Sequence, residues 1–271
     1  MTSVFRPHGP FGFVLAAILL LPGVTQAKMT AAEEKGAAIA VEADRRDEGF
    51  RDTRAKLDMI LKDRSGRQSV RELRLMTLEI VDRKDGDKTL VQFDQPRDIA
   101  GTTLLGFSHF EENDDQWLFL PALRRVKRIS SNNKSGPFVG SEFAYEDILS
   151  QEHQRYHHKW LRNEPCDAQT CFVVERRPKD QNSGYTRQVV WVDQEHYRPI
   201  RIDYYDRKNA LLKSLHYKNY RRYQSRFWRA HEMIMQNHQT GKSTVLRVSN
   251  YEFGVGLTDS HFHPSRLRTM R

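Results

Sequence analysis

A two-residue alternation of apolar and polar side chains dominates this chain from Phe50 onward. It is clearest where Ala55, Leu57 and Met59 alternate with charged residues. Successive side chains of a β-strand point to opposite faces, so this period predicts strands, whereas a helix needs a period of about 3.6. Most gaps between the alternating runs contain Gly, Pro, Asn or Asp, which is typical of the turns of an antiparallel sheet.

The alternating runs predict about a dozen strands. A second run passes through Leu73 and Leu75, and Asp85-Gly86 predicts a hairpin between that run and the third. The later runs cover residues 89–93, 102–110, 116–120, 124–129, 153–161, 171–177, 185–193, 200–206, 211–220, 227–236 and 243–253. We expect one antiparallel meander, and because strands twist, a single sheet of this size must curl strongly.

Two segments depart from the strand pattern and predict helices. Residues 31–47 are rich in Ala, Glu and Arg and predict one amphipathic helix, and a short helix is predicted near residues 145–149. Trp117–Leu120 and Val189–Val192 are apolar on both faces, which predicts cover on both sides of the sheet there. No linker or repeat divides residues 28–271, so we expect a single, mainly β (α+β) domain.

The first 27 residues have the three parts of a secretory signal. Arg6 lies in a short basic start, Phe11–Leu21 is an almost unbroken apolar run, and Thr25–Ala27 ends in a small residue suited to cleavage. The run is too short to cross a hydrocarbon core of about 30 Å as a helix. We expect residues 1–27 to be a cleaved signal peptide and the protein to be periplasmic. An uncleaved anchor or a buried helix is the alternative.

The formal net charge of the chain is +9, and two clusters of basic residues stand out in the sequence. In an exported protein, anionic lipid headgroups or an anionic membrane surface are more plausible partners for such clusters than nucleic acid. The first cluster, Arg124–Arg128, supplies Arg125 and Arg128 as headgroup or partner candidates. The second contains Lys218, Arg221, Arg222, Arg226 and Arg229. The alternative for both is a solvated sheet face on which Lys and Arg discourage edge pairing.

The two cysteines and the histidines are candidates for chemical sites. Cys166 and Cys171 are predicted to form a structural disulfide, with free thiols as the alternative. His153 and His157 would share a face of a helix, but the residues around them favour a strand, on which His157 and His158 point to opposite sides. No nucleophile elbow and no nucleotide-binding loop occurs in the sequence. We therefore predict no enzyme activity, no cofactor and no metal site.

The middle of the chain carries a resemblance to a known family. The segments that carry it are Phe93 with Pro96, Gly101-Thr102, Gln116–Pro121, Arg125–Ile129 and, most specifically, Phe138–Asp147. They resemble the outer membrane lipoprotein-sorting protein family, which is similar to the periplasmic lipoprotein carriers of the LolA/LolB superfamily. The resemblance covers roughly residues 31–265.

The resemblance implies a strongly curved, incompletely closed antiparallel barrel with helices over its open, concave side. It also implies an apolar cavity that binds lipid or lipoprotein acyl chains for transport or sorting toward the outer membrane. Inner-membrane exporters of the resistance-nodulation-division (RND) type are implied as partners. The alternative is a non-catalytic accessory protein that docks on such an exporter or on an envelope complex and carries nothing.

For that cavity we single out large apolar and aromatic side chains, because an acyl chain is held by apolar contact. The lipid-cavity candidates are Trp117, Phe119, Phe138, Phe143, Tyr145 and Trp191. Ordinary core packing is the alternative for each of them.

Overall fold

In the computed structural model, the described residues are 1–2, 28–80 and 85–269. The predicted signal peptide therefore lies almost entirely outside the described residues, and its cleavage stays a prediction. Within residues 28–80 and 85–269, no helix combines the length and the apolar character needed to cross a bilayer.

The first element is the helix α1, Ala31–Asp47, as predicted. Thr30 caps its first turn: the Glu33 backbone N–H donates to Thr30 Oγ1 at 3.3 Å, and the Thr30 N–H donates to Glu33 Oε2 at 2.8 Å. Such a capping box satisfies backbone donors that have no partner within the helix. Arg45 and Arg46 lie in the last turn, where positive charge stabilises the helix dipole.

Thirteen strands follow in the described part of the chain, and they form a single sheet. The strands are β1 (Asp52–Lys62), β2 (Gln68–Leu78), β3 (Asp85–Gln95), β4 (Thr103–His109), β5 (Asp115–Leu120), β6 (Arg125–Arg128), β7 (Tyr156–Cys166), β8 (Gln169–Pro178), β9 (Arg187–Asp193), β10 (Pro199–Tyr205), β11 (Leu211–Tyr223), β12 (Phe227–Asn237) and β13 (Ser243–Phe253). The short helix α2 is Tyr145–Ile148, and short 3-10 turns include Asp259–Phe262 and Pro264–Arg268. The mainly β, antiparallel prediction is confirmed.

The order of strands in the sheet is β6-β5-β4-β3-β2-β1-β13-β12-β11-β10-β9-β8-β7. The sheet is curved and not closed into a barrel, because β6 and β7 are its two edges. The prediction of one antiparallel meander is wrong: a single meander would leave the first and last strands at the edges, but here β1 pairs with β13, for example Leu57 with Val248. The sheet is thus two meanders joined at their first and last strands.

Each face of the sheet packs into its own hydrophobic cluster. The inner face, defined here as the face that carries the larger cluster, includes Leu57, Leu73 and Met235 and draws on strands from both meanders. The outer face carries a smaller cluster on β2–β6, where the C-terminal residues Leu257 and Phe262 pack. The prediction that parts of the sheet are covered on both sides is therefore confirmed.

The edge strands β6 and β7 are consecutive in the chain, and residues 129–155 connect them. Phe138, in this connection, is fully buried in the inner cluster. The Glu142 N–H donates to Thr244 Oγ1 at 3.0 Å on β13, and Gln116 Nε2 on β5 donates to the Tyr145 carbonyl at 3.4 Å. This connection therefore packs on the inner face against both meanders.

Helix α1 packs against the edge strand β7. A Cβ atom on Gly36 would lie 2.6 Å from the backbone nitrogen of Trp160, so the helix and strand backbones are nearly in contact. Lys35 Nζ lies 3.5 Å from the centroid of the Trp160 ring. That the helices cover the concave side of the sheet, as the resemblance implies, stays a prediction.

The predicted disulfide is confirmed. Cys166 and Cys171 are bonded, with their Cα atoms 5.8 Å apart, and they join the end of β7 to the start of β8. The described chain therefore contains no free cysteine.

Candidate ligand-binding cleft

A cleft of about 960 Å³ lies between the second half of α1 and the strands β1, β2 and β10–β13. Its volume is close to the upper end of the range of about 300–1,000 Å³ that is common for small-molecule sites. The cleft is open to solvent, and its lining combines apolar side chains with charged ones. We therefore take it as the candidate functional site.

The floor of the cleft is aliphatic. Leu57 from β1, Leu75 from β2, Met233 from β12 and Val248 from β13 line it. These side chains belong to the inner face because each follows the two-residue period of its strand, and Leu57 and Val248 also belong to the inner cluster. A floor of this kind can bind apolar groups but offers no directional contact.

One wall of the cleft is aromatic and depends on a break in the strand period. Leu215 and Tyr217 face the inner cluster, so regular alternation would next place Asn219 there. Asn219 instead has a left-handed backbone (φ 56°), a conformation that Asn tolerates well, and Tyr220 lines the cleft. The Tyr220 hydroxyl donates to the Pro199 carbonyl at 2.5 Å, which satisfies its polar end. Burial raises the pKa of Tyr217 to about 12.

Several arginines surround this wall, and four of them lie over aromatic rings. The guanidinium carbon of Arg198 lies 4.7 Å from the Tyr220 ring centroid and 4.5 Å from that of Trp228. Arg46 stacks on Tyr197 at 4.3 Å. Arg229 pairs with Asp47, and although burial works against its charge, the nearby carboxylate raises the pKa of Arg229 above its ordinary value. These contacts hold cations beside apolar rings.

Arg222 and Arg226, at the hairpin between β11 and β12, are exposed and line the mouth of the cleft. Arg226 Nη2 donates to the Arg45 carbonyl at the end of α1, at 3.4 Å. Among the described residues, no carboxylate forms an ion pair with either arginine. The charges of these two arginines are therefore available to bind a ligand.

A buried acidic pair lies at another border of the cleft. Asp87 lines the cleft, and its backbone N–H donates to Glu152 Oε1 at 3.4 Å. Burial, and then the nearby Glu152, raise the pKa of Asp87 to about 7. Burial also raises the pKa of Glu152. Asp87 thus holds its proton in the folded protein at pH values where a free carboxyl would have lost it.

We expect an Asp87→Asn variant to lose part of the pH dependence of stability. Because the folded-state pKa lies above the unfolded value of about 3.9, Asp87 stabilises the fold at low pH, and that contribution is lost as the pH rises toward 7. As the pH rises from 5 to 8, the wild type should lose about 2–3 kcal/mol of unfolding free energy that the variant does not lose. Thermal unfolding across this range measures it. Asp98→Asn, at an exposed position, is the control, and an equal pH response of both variants would contradict the assignment.

The lipid-cavity candidates on β5 lie away from the cleft. Phe119 belongs to the outer cluster, and Trp117 packs against that cluster, with its ring centroid 5.1 Å from that of Phe107. Both side chains therefore face the C-terminal segment, on the side of the sheet opposite to the cleft.

The other candidates also lie outside the cleft lining. Phe138 and Phe143 are buried in the inner cluster, and Tyr145 packs against it, with its ring centroid 5.6 Å from that of Phe138. Trp191 is partly buried, with Arg201 4.7 Å from its ring and Glu164 accepting its indole N–H. For all these side chains, contact with a lipid stays a prediction.

The headgroup or partner candidates Arg125 and Arg128 lie on the edge strand β6 and are exposed. Arg128 pairs with Asp115 and lies 6.0 Å from the Trp117 ring centroid. The cleft instead receives Arg222, Arg226 and Arg229 from the second basic cluster of the sequence. In the sequence, these arginines are indicated by their clustering around the gap between two predicted strands. No sequence pattern indicates that α1 forms a wall of the cleft, because this depends on tertiary packing.

The histidines near the start of β7 make contacts within the protein. Across residues 28–80 and 85–269, no group of three His, Cys, Asp or Glu side chains is placed to hold a metal ion. His153 Nδ1 lies 3.2 Å from Asp44 Oδ2, and His158 Nε2 lies 2.9 Å from the His153 carbonyl. Burial lowers the pKa of His158 to about 4, so this histidine is neutral at pH 7.

Comparisons with known proteins match this architecture. A family model described as an uncharacterized protein matches residues 85–269. A Vibrio parahaemolyticus domain that carries the name outer membrane lipoprotein-sorting protein is 53% identical, with a TM-score of 0.85 over 87% of this chain and 99% of that one. A DUF1329 family protein from Desulfovibrio piger is 31% identical, with a TM-score of 0.83 over 88% of this chain and 100% of that one.

A LolA superfamily protein from Nitrosomonas europaea shares the fold at 21% identity, with a TM-score of 0.68 over 85% of this chain and 98% of that one. Among curated proteins, no significant match is found.

Proposed function

Because the chain belongs to the outer membrane lipoprotein-sorting protein family, with the fold seen in the LolA superfamily, we propose that it is a non-catalytic periplasmic carrier. It binds the acyl part of a lipid or lipoprotein in the cleft beside α1 and assists its transport toward the outer membrane. The observation that carries this proposal is the cleft itself, which combines an aliphatic floor with an arginine-lined mouth.

The physical requirement for a carrier is to keep apolar surface out of water. Each CH₂ group of an acyl chain that moves from water to an apolar surface gains about 0.8 kcal/mol. Leu57, Leu75, Met233 and Val248 supply such a surface, and the cleft is open enough for a chain to enter. The polar end of the ligand then stays at the mouth, near water and charged side chains.

Two earlier expectations remain part of this proposal. Lipid contact by Phe138 and Phe143 would require the connection 129–155 to move, since both side chains belong to this connection and are buried in the inner cluster. Docking on an RND-type exporter also stays a prediction, and none of the comparisons supports it. An accessory protein that docks and carries nothing remains the alternative function.

We expect an Ala230→Trp variant to bind a fluorescent fatty-acid probe at least about tenfold more weakly than the wild type, a loss of about 1.4 kcal/mol. Ala230 lines the cleft, so the larger ring fills ligand space without introducing a charge. Probe titration of residues 28–271 measures the effect. Ala122→Trp, at an exposed position, is the matched control. Equal probe binding by both variants would remove the cleft as the acyl site.

The cargo itself can be tested by purifying the mature protein from its native envelope and analysing the extract by lipid mass spectrometry. A reproducible, stoichiometric lipid or lipopeptide is expected. An empty protein that also fails to bind the acyl probe would favour the docking alternative.

A further inference from the structure

We propose that the cleft selects an amphiphile with an anionic head, a phosphate or a carboxylate, and that Arg222 and Arg226 bind this head. The proposal rests on the carrier function above and adds the chemical class of the ligand. Neither the family name nor the fold specifies a head, so the inference depends only on the charges and contacts around the mouth.

The charged side chains that line the cleft are mostly positive. Its lining arginines come from α1, from the turn before β10 and from the β11–β12 hairpin; they are Arg45, Arg46, Arg198, Arg222, Arg226 and Arg229. The lining carboxyls are only Asp44, Asp47 and Asp87. Lining cations therefore outnumber lining carboxyls, and an anion that enters meets a positive field strengthened by low-dielectric walls.

Four of the six lining arginines already have a carboxylate partner. Arg45 and Arg46 both bond Glu42, at 2.8 and 2.7 Å. Arg198 Nε lies 2.8 Å from the buried Asp193 carboxylate, and Arg229 pairs with Asp47. Arg222 and Arg226 are the two lining arginines for which the described residues provide no ion pair.

Arg222 and Arg226 lie next to the apolar surface of the cleft. Arg222 pairs across the hairpin with Trp228, whose ring lines the cleft. Arg226 reaches the carbonyl end of α1. The two guanidinium groups thus flank the boundary between the aromatic wall and solvent. This is where the head of an amphiphile lies when its chain is on the aliphatic floor.

The guanidinium group is suited to bind an anionic head. Its planar donors match the oxygens of a phosphate or carboxylate in pairs, and such charge-assisted bonds are stronger than neutral ones. Stabilisation of the helix end accounts for part of the role of Arg226, because cations are favoured near helix C-termini. It does not account for Arg222, whose side chain makes no hydrogen bond within the described residues and can bind a ligand.

The test compares ligands with one acyl chain length and different heads. Monoacylglycerol, lysophosphatidylcholine and lysophosphatidic acid are titrated against the wild-type protein by displacement of a fluorescent fatty-acid probe, with inorganic phosphate alone as a fourth arm. We expect lysophosphatidic acid to bind at least about tenfold more tightly than monoacylglycerol. The preference should shrink at high salt, because exposed charges are screened.

The double variant Arg222→Gln/Arg226→Gln should lose this preference while it retains binding of monoacylglycerol. Arg125→Gln/Lys127→Gln, at exposed positions on β6, removes the same charge away from the cleft and should keep the preference. A circular dichroism melt verifies that both variants fold.

The outcomes separate the two levels of the proposal. If no amphiphile binds, the carrier function fails. If the neutral head binds as tightly as the phosphate head, or if the Arg222→Gln/Arg226→Gln variant keeps the preference, the carrier function stands and the anionic-head assignment is overturned. If inorganic phosphate alone competes as well as lysophosphatidic acid, the mouth is a site for free anions, and the assignment to a lipid head is also overturned.

Discussion

Replacing Lys213 with Met is expected to lower the free energy of unfolding by about 3–5 kcal/mol, because it leaves a buried carboxylate without its cation. Lys213 Nζ lies 2.7 Å from Asp147 Oδ2, and both side chains are almost inaccessible, with 5% and 3% of their surface exposed. Lys213 also donates to the Glu142 carbonyl at 2.9 Å. Denaturant unfolding followed by tryptophan fluorescence measures the change.

The large effect is expected because Asp147 holds the connection 129–155 to the sheet. Its carboxylate also accepts the Ala144 backbone N–H at 2.7 Å and the Tyr185 hydroxyl at 2.9 Å. Without Lys213, these neutral donors remain but the charge is uncompensated. Burial, and then the Asp147 charge, raise the pKa of Tyr185 well above its ordinary value, so the tyrosine keeps the proton that it donates.

Two further variants make this prediction specific. Lys218→Met, at an exposed position on the same strand, should change stability by less than about 0.5 kcal/mol. Asp147→Asn combined with Lys213→Met should recover a substantial part of the loss, because the double variant has no unpaired charge. If Lys213→Met is as mild as Lys218→Met, the ion pair does not anchor the connection.

Replacing Gly36 with Val is expected to detach α1 from β7 and to reduce binding of the fatty-acid probe by at least about tenfold. A Cβ atom at this position would lie 2.6–2.8 Å from backbone atoms of Lys159 and Trp160, and backbone atoms of a strand cannot move aside as a side-chain end can. The helix must therefore shift, and the cleft loses the wall that its second half provides. Hydrogen exchange of the helix amides and probe titration measure the two effects.

The expected loss of α1 docking in Gly36→Val distinguishes the effect of packing from the effect of helix propensity. Glycine is the poorest helix former except proline, so Gly36→Val should improve an isolated helix slightly. Ala38→Val, at an exposed position of α1, carries a small propensity cost and no clash, and it should leave probe binding unchanged. Protected helix amides and normal binding in Gly36→Val would show that the close approach does not position the helix.

Much of the fold follows from local patterns in the sequence. The two-residue period and the turn residues predict the strands, and the composition around the Thr30 cap predicts α1, because both depend on neighbours in the chain. The pairing of Leu57 with Val248 is not local, so no pattern within either strand could indicate it. The same holds for the faces of β5: the period shows that Trp117 and Phe119 share a face, but not which face is inner.

The candidate cleft was less predictable than the fold. Large aromatic side chains were singled out for an acyl cavity, but burial in a core and exposure to a ligand favour the same residue types. Phe138 and Phe143 are core residues in this structure. The cleft is shaped by α1 and by the left-handed residue Asn219, which redirects the end of β11. The hairpin arginines Arg222 and Arg226 were visible as a cluster, but their common location required the tertiary structure.

The junction of β1 with β13 has a consequence for how the chain folds. Each meander can assemble from contacts between neighbouring hairpins, whereas the junction joins strands from opposite ends of the domain, as in Thr53 with Phe253. Contacts so distant in sequence require a large loop to close first, so we expect this step to be late and slow. Until it happens, β1 and β13 each present an unpaired edge to other chains. The interval before this junction closes is therefore when the protein is most exposed to aggregation.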